Sequence, residues 1–194
     1  MRWERLFADL EAHFDADERS AHQMDVADLV RAERSRLTIT DRLRPHRGTL
    51  LTWRLEPGAG LDGPVPATLI DIGADWLLMA TASGSIRRHL LVPTRCVQWI
   101  SGLSGAAQAD ESQIAKRMGL TVVLRGLARD RAPLRVITAG GQLTGTIDRV
   151  GADHLDLALH DLDMPRRAGS IREIRCFPLA AVSAYGLSDE PAAG

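Results

Sequence analysis

Cysteine, aromatic residues and long apolar runs are all scarce in this sequence. Its 194 residues include two cysteines, Cys96 and Cys176, each isolated in a β-like stretch, so the pattern predicts neither a CxxC metal site nor a disulfide framework. No run reaches the roughly 18 apolar residues of a membrane span. The start of the chain, Met1 to Arg5, is charged and amphipathic and lacks the apolar core of a signal peptide. A cytoplasmic protein without membrane association is therefore expected.

The charge balance excludes a uniformly basic protein. The chain has 24 Lys and Arg against 25 Asp and Glu, a formal net charge of -1, whereas nucleic-acid-binding domains are often strongly basic. A local basic patch is compatible with this balance. The composition, 45% hydrophobic and 25% charged, is otherwise that of a globular protein with room for one large or two small domains.

The sequence contains an internal repeat. Three blocks occur twice in the same order, which makes a chance match improbable. The blocks are residues 32–39 and 115–122, residues 73–77 and 151–155, and residues 92–97 and 177–182. The best match sets Gly73-Ala74-Asp75 against Gly151-Ala152-Asp153, 78 residues further on. The chain is therefore predicted to be a tandem duplication of a module of about 80 residues.

The predicted domains are residues 1–24, a first module at 25–103, a second at 109–187 and a tail at 188–194. In the first module, apolar alternation and turn residues predict strands at 50–55, 65–72, 75–82, 87–93 and 96–100. Gly73 and Gly151 are expected to supply the positive φ of tight hairpins. The fold class is predicted as α+β, mainly β. It comprises an N-terminal amphipathic helix and two tandem five-stranded Sm-like or SH3-like barrels, each with a helical lead-in.

An apolar stripe marks the beginning of the chain. Its members recur at helical spacing and are candidate partner-binding residues. They are Trp3, Leu6, Phe7, Leu10 and Phe14. A helix is expected over residues 1–15, and a lead-in helix from Asp25 to Arg36. The matching lead-in of the second module is expected from Asp110 through Met118, with a continuation towards Leu127.

Two features resemble a family of actinobacterial proteins of unknown function. These features are the N-terminal pattern from Arg2 to Glu11 and the repeated Gly-Ala-Asp hairpin, and together they extend the resemblance over nearly the whole chain. Some members of that family are labelled Fis-like regulators, a class that requires a C-terminal helix-turn-helix. Residues 171–185 are predicted to form strands here. The resemblance therefore implies no particular function.

Part of the second module is similar to the first Sm signature. The matching residues are Gly145-Thr146-Ile147 and residues 155–157, where Asp156 stands in place of the usual Asn. Leu78 is its counterpart in the first module and cannot hydrogen-bond a base edge. Neither module has an Arg-Gly dipeptide at the position of the second Sm signature. The similarity implies an Sm-like topology without the Sm uridine pocket.

Basic residues cluster in both lead-in segments. Arginine offers a planar fork of donors to phosphate oxygens, so these residues are candidates for nucleic-acid binding. They are Arg34, Arg36, Arg42, Arg44, Lys116, Arg117, Arg125, Arg129 and Arg131. The alternative is that they form solvated faces balanced by the acids elsewhere in the chain.

Motifs for catalysis and cofactor binding are weak. Residues 58–63 fit GxGxxG, but Pro64 and Pro66 follow, and a dinucleotide site needs a helix at that point. The six histidines show no metal-ligand spacing, and no nucleophile elbow or phosphate loop is present. No cofactor, metal or small-molecule ligand is expected, and an enzyme is the least supported class.

Two function hypotheses remain, and the sequence does not choose a partner for either. The first is a non-catalytic interaction or scaffold protein that acts through oligomerisation or a protein partner, by its N-terminal helix and its exposed strand edges. The alternative is an RNA- or DNA-binding regulatory protein that uses the basic lead-in helices.

Overall fold

The structure, a computed structural model, describes residues 31–32, 35–56, 58, 63–83, 86–108, 118–160, 173–187 and 190–191. Contacts divide the chain into two compact units, residues 1–38 and 39–194. In the first unit, Ser35 donates a hydrogen bond to the carbonyl of Ala32 over 2.7 Å. The predicted helix at 1–15 and most of the predicted helix at 25–36 lie outside the described residues.

The second unit is built mainly of β-strands. Its described helices are α1 (Ile39–Leu43), which continues into a 3-10 turn at Arg44–His46, and α2 (Leu120–Arg129). Its strands are β1 (Leu50–Leu55), β2 (Val65–Ile72), β3 (Trp76–Ser83), β4 (Ile86–Pro93), β5 (Val97–Ser101), β6 (Pro133–Thr138), β7 (Gly141–Val150), β8 (His154–Leu159), β9 (Glu173–Pro178), β10 (Val182–Gly186) and β11 (Glu190–Pro191). Two further 3-10 turns, Thr94–Cys96 and Leu179–Ala181, lead into β5 and β10.

The strands form one open antiparallel sheet, so the prediction of two separate barrels is wrong. Ten strands follow the order β5-β1-β2-β3-β4-β10-β6-β7-β8-β9, and β11 pairs with the beginning of β4. The two halves of the sheet meet where β4 pairs with β10. Leu90, Leu91 and Val92 are buried on β4, and all five residues of β10 are buried. Strands buried on both faces belong in the interior of a sheet, so they join the halves.

Two hydrophobic cores lie on opposite faces of the central strands. Leu77 and Met79 of β3 belong to the first core, while Trp76 belongs to the second. Leu91 of β4 belongs to the second core, although Val92 beside it belongs to the first. Successive side chains of a strand point to opposite faces. The sheet therefore carries one core on each side, and the central strands contribute to both.

The strand pairing of the first half recurs in the second. β1 and β2 pair Leu51 with Ala67, and β6 and β7 pair Leu134 with Gly145 in the matching register. The β2–β3 pairing shifts after Leu69, and the β7–β8 pairing shifts at the matching Ile147. The β1–β5 and β6–β10 pairings also shift at matching places. Such bulges are specific features of a strand pair, so the repeat in sequence is also a repeat in structure.

The two hairpin glycines are needed for space rather than for a positive φ. Neither Gly73 nor Gly151 is among the positive-φ residues of the described chain. A Cβ atom on Gly73 would overlap the indole of Trp76, and one on Gly151 would overlap the imidazole of His154. The expectation from turn geometry is therefore wrong at both positions, because the ring that folds back over each glycine is what excludes a side chain.

The lead-in helices differ from their predicted bounds. Helix α2 begins at Leu120 and packs Leu120 and Leu124 into the second core. The predicted start near Asp110 lies outside the described residues. In the first half, Leu43 of the short helix α1 is fully buried against the first core. Each half thus has a helical segment directly before its first strand.

Candidate assembly interface

The junction between the halves is a strand pair closed by backbone hydrogen bonds. Leu91 of β4 lies opposite Tyr185 of β10, and Leu90 lies opposite Gly186. Beyond this pair, the amide of Leu187 donates to the carbonyl of His89 over 2.9 Å. Leu91 and Tyr185 are almost fully buried, and burial raises the pKa of the Tyr185 phenol. The halves are therefore joined by a dry strand pair.

Arg95 connects the two halves beside this strand pair. Its guanidinium donates to the carbonyl of Leu179 and, over 2.9 Å, to the carbonyl of Val182. The same side chain lies 2.7 Å from the sulfur of Cys96. Burial is the main reason why the pKa of Cys96 rises to about 11. Hydrogen bonds from a charged donor are the stronger kind, so Arg95 reinforces the strand pair from its edge.

The hairpin between β2 and β3 caps helix α2 of the other half. A carboxylate oxygen of Asp75 accepts a hydrogen bond from the amide of Leu120 over 2.6 Å. The indole N–H of Trp76 donates to the carbonyl of Met118 over 2.8 Å. Helix N-termini leave amide groups without partners inside the helix and favour a nearby negative charge. This hairpin therefore supplies a cap that the N-cap residue, Gly119, cannot provide.

The matching hairpin of the second half makes no such contact within the described residues. Asp153 and His154 bond to each other, with 2.9 Å between Oδ1 and Nδ1, and the Asp153 side chain is 91% exposed. The hydrogen bond from His154 holds the pKa of Asp153 below its usual value. The two hairpins have the same backbone bond, from Gly73 to Trp76 and from Gly151 to His154. They share a shape, but the first caps the N-terminus of α2, whereas the second accepts a side-chain hydrogen bond from Arg125 of α2 at Gly151 and leaves the Asp153 carboxylate exposed.

The sheet ends in two outer strands, β5 and β9. Within the described chain, β5 pairs with β1 on one side and β9 pairs with β8 on one side, and neither has a strand on its other side. Trp99 on β5 is 45% exposed and Ile174 on β9 is 54% exposed. Outer strands with free backbone groups are templates for pairing with another chain. Both edges of the sheet therefore present pairing groups next to apolar side chains.

A cavity of about 370 Å³ lies beside β5. Ile39 and Leu43 of α1 line one part of it, and Val97, Trp99 and Ile100 of β5 line another. Its charged lining residue is Arg42, whose guanidinium donates to the carbonyl of Ser104 over 3.3 Å. The wall is thus mostly apolar and adjoins the exposed side of Trp99. This cavity extends the apolar character of the β5 edge.

The candidate basic residues that the structure describes differ in their surroundings. Arg34, Lys116 and Arg117 lie outside the described residues, as do Trp3, Leu6, Phe7, Leu10 and Phe14. Arg36 is an exposed residue of the first unit. In the second unit, Arg44 is half-buried and lies 3.9 Å from Asp41. Arg42 and Arg44 thus have structural contacts of their own.

Three candidate arginines remain together on and after helix α2. Arg125 and Arg129 are one helical turn apart, and Arg131 follows the helix with a φ of 51°. All three are exposed. Arg125 donates to the carbonyl of Gly151 over 3.4 Å, and Arg129 lies 3.4 Å from Asp130. This group is the part of the predicted basic surface that the described chain brings together.

The weaker sequence motifs are the GxGxxG stretch, the metal-ligating residue types, the cysteines and the Sm-like residues. The GxGxxG stretch precedes strand β2 rather than a helix, so the dinucleotide context is absent there. Within the described residues, no group of three or more His, Cys, Asp and Glu is placed to hold a metal ion. Cys96 is buried, whereas Cys176 is exposed. The Sm-like residues Thr146 and Asp156 lie on the neighbouring strands β7 and β8.

The junction contains three residues that were not predicted from the sequence, Asp75, Trp76 and Arg95. The repeat contained a signal for two of them, because Trp76 is replaced by His154 and Arg95 by Ala180 in the second copy. Comparisons with family models, curated proteins and solved structures found no match. In the part of the chain that the structure describes, no helix is long and apolar enough to cross a membrane.

Proposed function

We propose that this protein is a non-catalytic assembly protein that joins chains through the outer strands of its sheet. The observation that carries the proposal is the pair of outer strands, β5 and β9, each unpaired on one side within the described chain. A cytoplasmic location is part of the same proposal.

The side chains on these outer strands favour association with another chain over exposure to water. Trp99 and Ile174 are large apolar residues that are about half exposed on outer strands, and apolar side chains on an exposed edge strand favour pairing with another chain. Aromatic side chains such as Trp are enriched at protein interfaces. Association would remove both side chains from water and give the edge backbone groups partners.

Two cavities of the described residues fit a role in assembly better than one in catalysis. The cavity beside β5 has Arg42 as its charged lining residue, and a wider one of about 690 Å³ has Glu56. Acid–base catalysis usually uses a second titratable group that orients or activates the first. Neither lining brings a second charged group to the first.

Light scattering on a sizing column tests this proposal over a range of protein concentrations. We expect the wild-type mass to rise above that of the monomer with concentration, and Trp99→Glu to reduce it because the charge must be buried on pairing. Val122→Glu is the matched control, since Val122 is 47% exposed on α2, which packs against the inner strand β7. A wild-type protein that stays monomeric throughout would refute the proposal.

A second candidate function is binding of RNA or DNA through Arg125, Arg129 and Arg131. The exposed position of all three on one segment favours it. The double variant Arg125→Ala with Arg129→Ala should weaken binding of a random oligonucleotide pool regardless of sequence, and the affinity should fall steeply with salt. Arg88→Ala on β4 is the control. No binding at low salt would exclude this candidate.

A further inference from the structure

We infer that the assembly is head-to-tail, with β9 of one chain paired to β5 of a second copy in the register of the internal β4–β10 pair. The inference rests on the proposed assembly function and specifies its geometry. Its basis is the duplication, because β9 corresponds to β4 and β5 corresponds to β10. One such pairing already exists inside each chain, and the two strands that would repeat it form the outer edges of the sheet.

The internal pair fixes the register of the proposed one. Each residue of β4 or β5 lies 85 positions before its counterpart in β9 or β10. For β4 and β9 the offset follows from two matching strand pairs, because Trp76 lies opposite Pro93 and its counterpart His154 lies opposite Pro178. Leu91 opposite Tyr185 therefore becomes Cys176 opposite Ile100 of the second copy.

The free edge of β9 has its backbone groups in the required orientation. In the internal junction, the carbonyl of His89 accepts a hydrogen bond from Leu187. The N–H and C=O of one residue in an antiparallel strand face the same neighbour. Ile174 is the counterpart of His89, so its backbone groups point away from β8. Its carbonyl would accept the amide of Gly102 in the second copy.

The side chains of the two edges are compatible on both faces of the sheet. On one face, exposed Cys176 and Ile174 would meet half-buried Ile100. On the other face, Phe177 would meet Trp99, where the internal junction has Val92 and Ala184 together in the first core. Cross-strand aromatic and aliphatic pairs stabilise a sheet. Pairing would therefore cover the two apolar residues that are most exposed at the edges.

This geometry differs from that of a twofold dimer. A twofold interface uses the same patch on both chains, whereas β9 and β5 are different patches. Each chain that joins leaves one β9 edge and one β5 edge at the ends of the complex. Association therefore continues to trimers and beyond, and it ends only where three or more chains close into a ring.

An engineered disulfide tests the register directly in the full chain. In a hydrogen-bonded antiparallel pair the Cα atoms are about 5.5 Å apart, which suits a disulfide. Ile100→Cys places a new thiol opposite the native Cys176 of the next chain. With a mild oxidant, we expect a non-reducing gel to show bands at two, three and more times the monomer mass. Ser101→Cys is the control, because its side chain points to the opposite face of the strand.

Three outcomes contradict the inference. A single dimer band without higher species contradicts head-to-tail pairing, and an equal ladder for Ser101→Cys contradicts the register. Failure of Ile100→Cys to form more cross-links than the wild type contradicts the pairing. If the wild type still associates in solution in these cases, the assembly function stands and the geometry is refuted. A monomeric wild type refutes both.

A backbone variant gives a second test that does not depend on Ile100. Ile174→Pro removes an N–H that faces away from β8, so the pairing inside the chain keeps its hydrogen bonds. We expect this variant to remain folded by circular dichroism and to lose association at least tenfold, whereas Ile174→Thr keeps the N–H and loses less. Unchanged association of a folded Ile174→Pro would overturn the inference.

Discussion

The cap that the first half places on helix α2 predicts a difference between two matching aspartates. Asp75 accepts the amide of Leu120 at 2.6 Å, whereas Asp153 is bonded to its neighbour His154 and is exposed to solvent. The hairpins around them share the Gly-Ala-Asp sequence and the same backbone hydrogen bond. Replacing each aspartate by alanine therefore compares a capping carboxylate with one that does not cap in the described structure.

The expected magnitude follows from the loss of one helix cap. Removal of a capping side chain costs about 0.5–2 kcal/mol. Asp75 is exposed, and solvent can partly replace its oxygen, so we expect Asp75→Ala to lower the free energy of unfolding by about 1 kcal/mol. For a chain of this size that corresponds to a fall in Tm of about 2–4 °C. Asp75→Asn keeps an oxygen acceptor and should lose less.

Urea unfolding measures the free energy of unfolding of the Asp75→Ala and Asp153→Ala variants. It is followed by circular dichroism at a concentration where the protein is monomeric. Asp153→Ala should change the free energy of unfolding by less than about 0.5 kcal/mol, as exposed substitutions usually do. If the two alanine variants lose the same stability, the hairpin does not cap α2, and the account of how the halves are joined is wrong.

Four further predictions concern Arg95, the buried His46 and the two cysteines. Arg95→Ala should cost about 1–3 kcal/mol in urea unfolding, because two carbonyls at the junction lose a charged donor. His46→Ala should cost a similar amount in the same assay, since its buried ring bonds both the carbonyl of Arg42 and the amide of Ser104. A thiol reagent at pH 8 should label Cys176 in the native protein and Cys96 after unfolding. Because the pKa of Cys96 is raised in the folded state, to about 11, its unfolded thiol ionises first. Stability should therefore fall as the pH rises above about 9, and less so in Cys96→Ala.

The strands of the first half could be predicted from the sequence with good accuracy. Both β1 and β2 have the predicted bounds, and the other three strands differ by no more than one residue at each end. Buried residues alternate along β1, with Leu51, Trp53 and Leu55 inside and Thr52 and Arg54 less buried. This alternation has a period of two, which is a local property of the sequence.

The arrangement of the strands could not be predicted in the same way. A barrel would close each group of five strands on itself, but β4 instead pairs with β10, which lies about 90 residues further along the chain. The sequence does contain a sign of this, because Leu90, Leu91 and Val92 form an unbroken apolar run. An alternating pattern predicts a strand with one buried face, whereas an unbroken apolar run predicts a strand that is buried on both faces.

The predicted sites depended on local charge, which does not report contacts across the chain. Arg42 and Arg44 belong to a basic cluster in sequence, yet both have neighbours in the fold, since Arg42 bonds Ser104 and Arg44 lies near Asp41. Arg95 was overlooked because it stands alone in sequence, although its partners lie 84 and 87 residues away. An isolated charged residue next to a buried strand is therefore as good an indicator of contacts across the chain as a cluster of charges is.

The differences between the two copies predict how strong the assembly is. At the internal junction Leu90 and Leu91 face β10, whereas their counterparts on β9 are Arg175 and Cys176, which are more polar and exposed. Arg95, which reinforces the internal pair, is replaced by Ala180. Charged residues on an edge strand limit uncontrolled pairing. The proposed pairing between chains therefore has fewer stabilising contacts than the internal one, so it should be reversible and depend on concentration while the two halves stay joined.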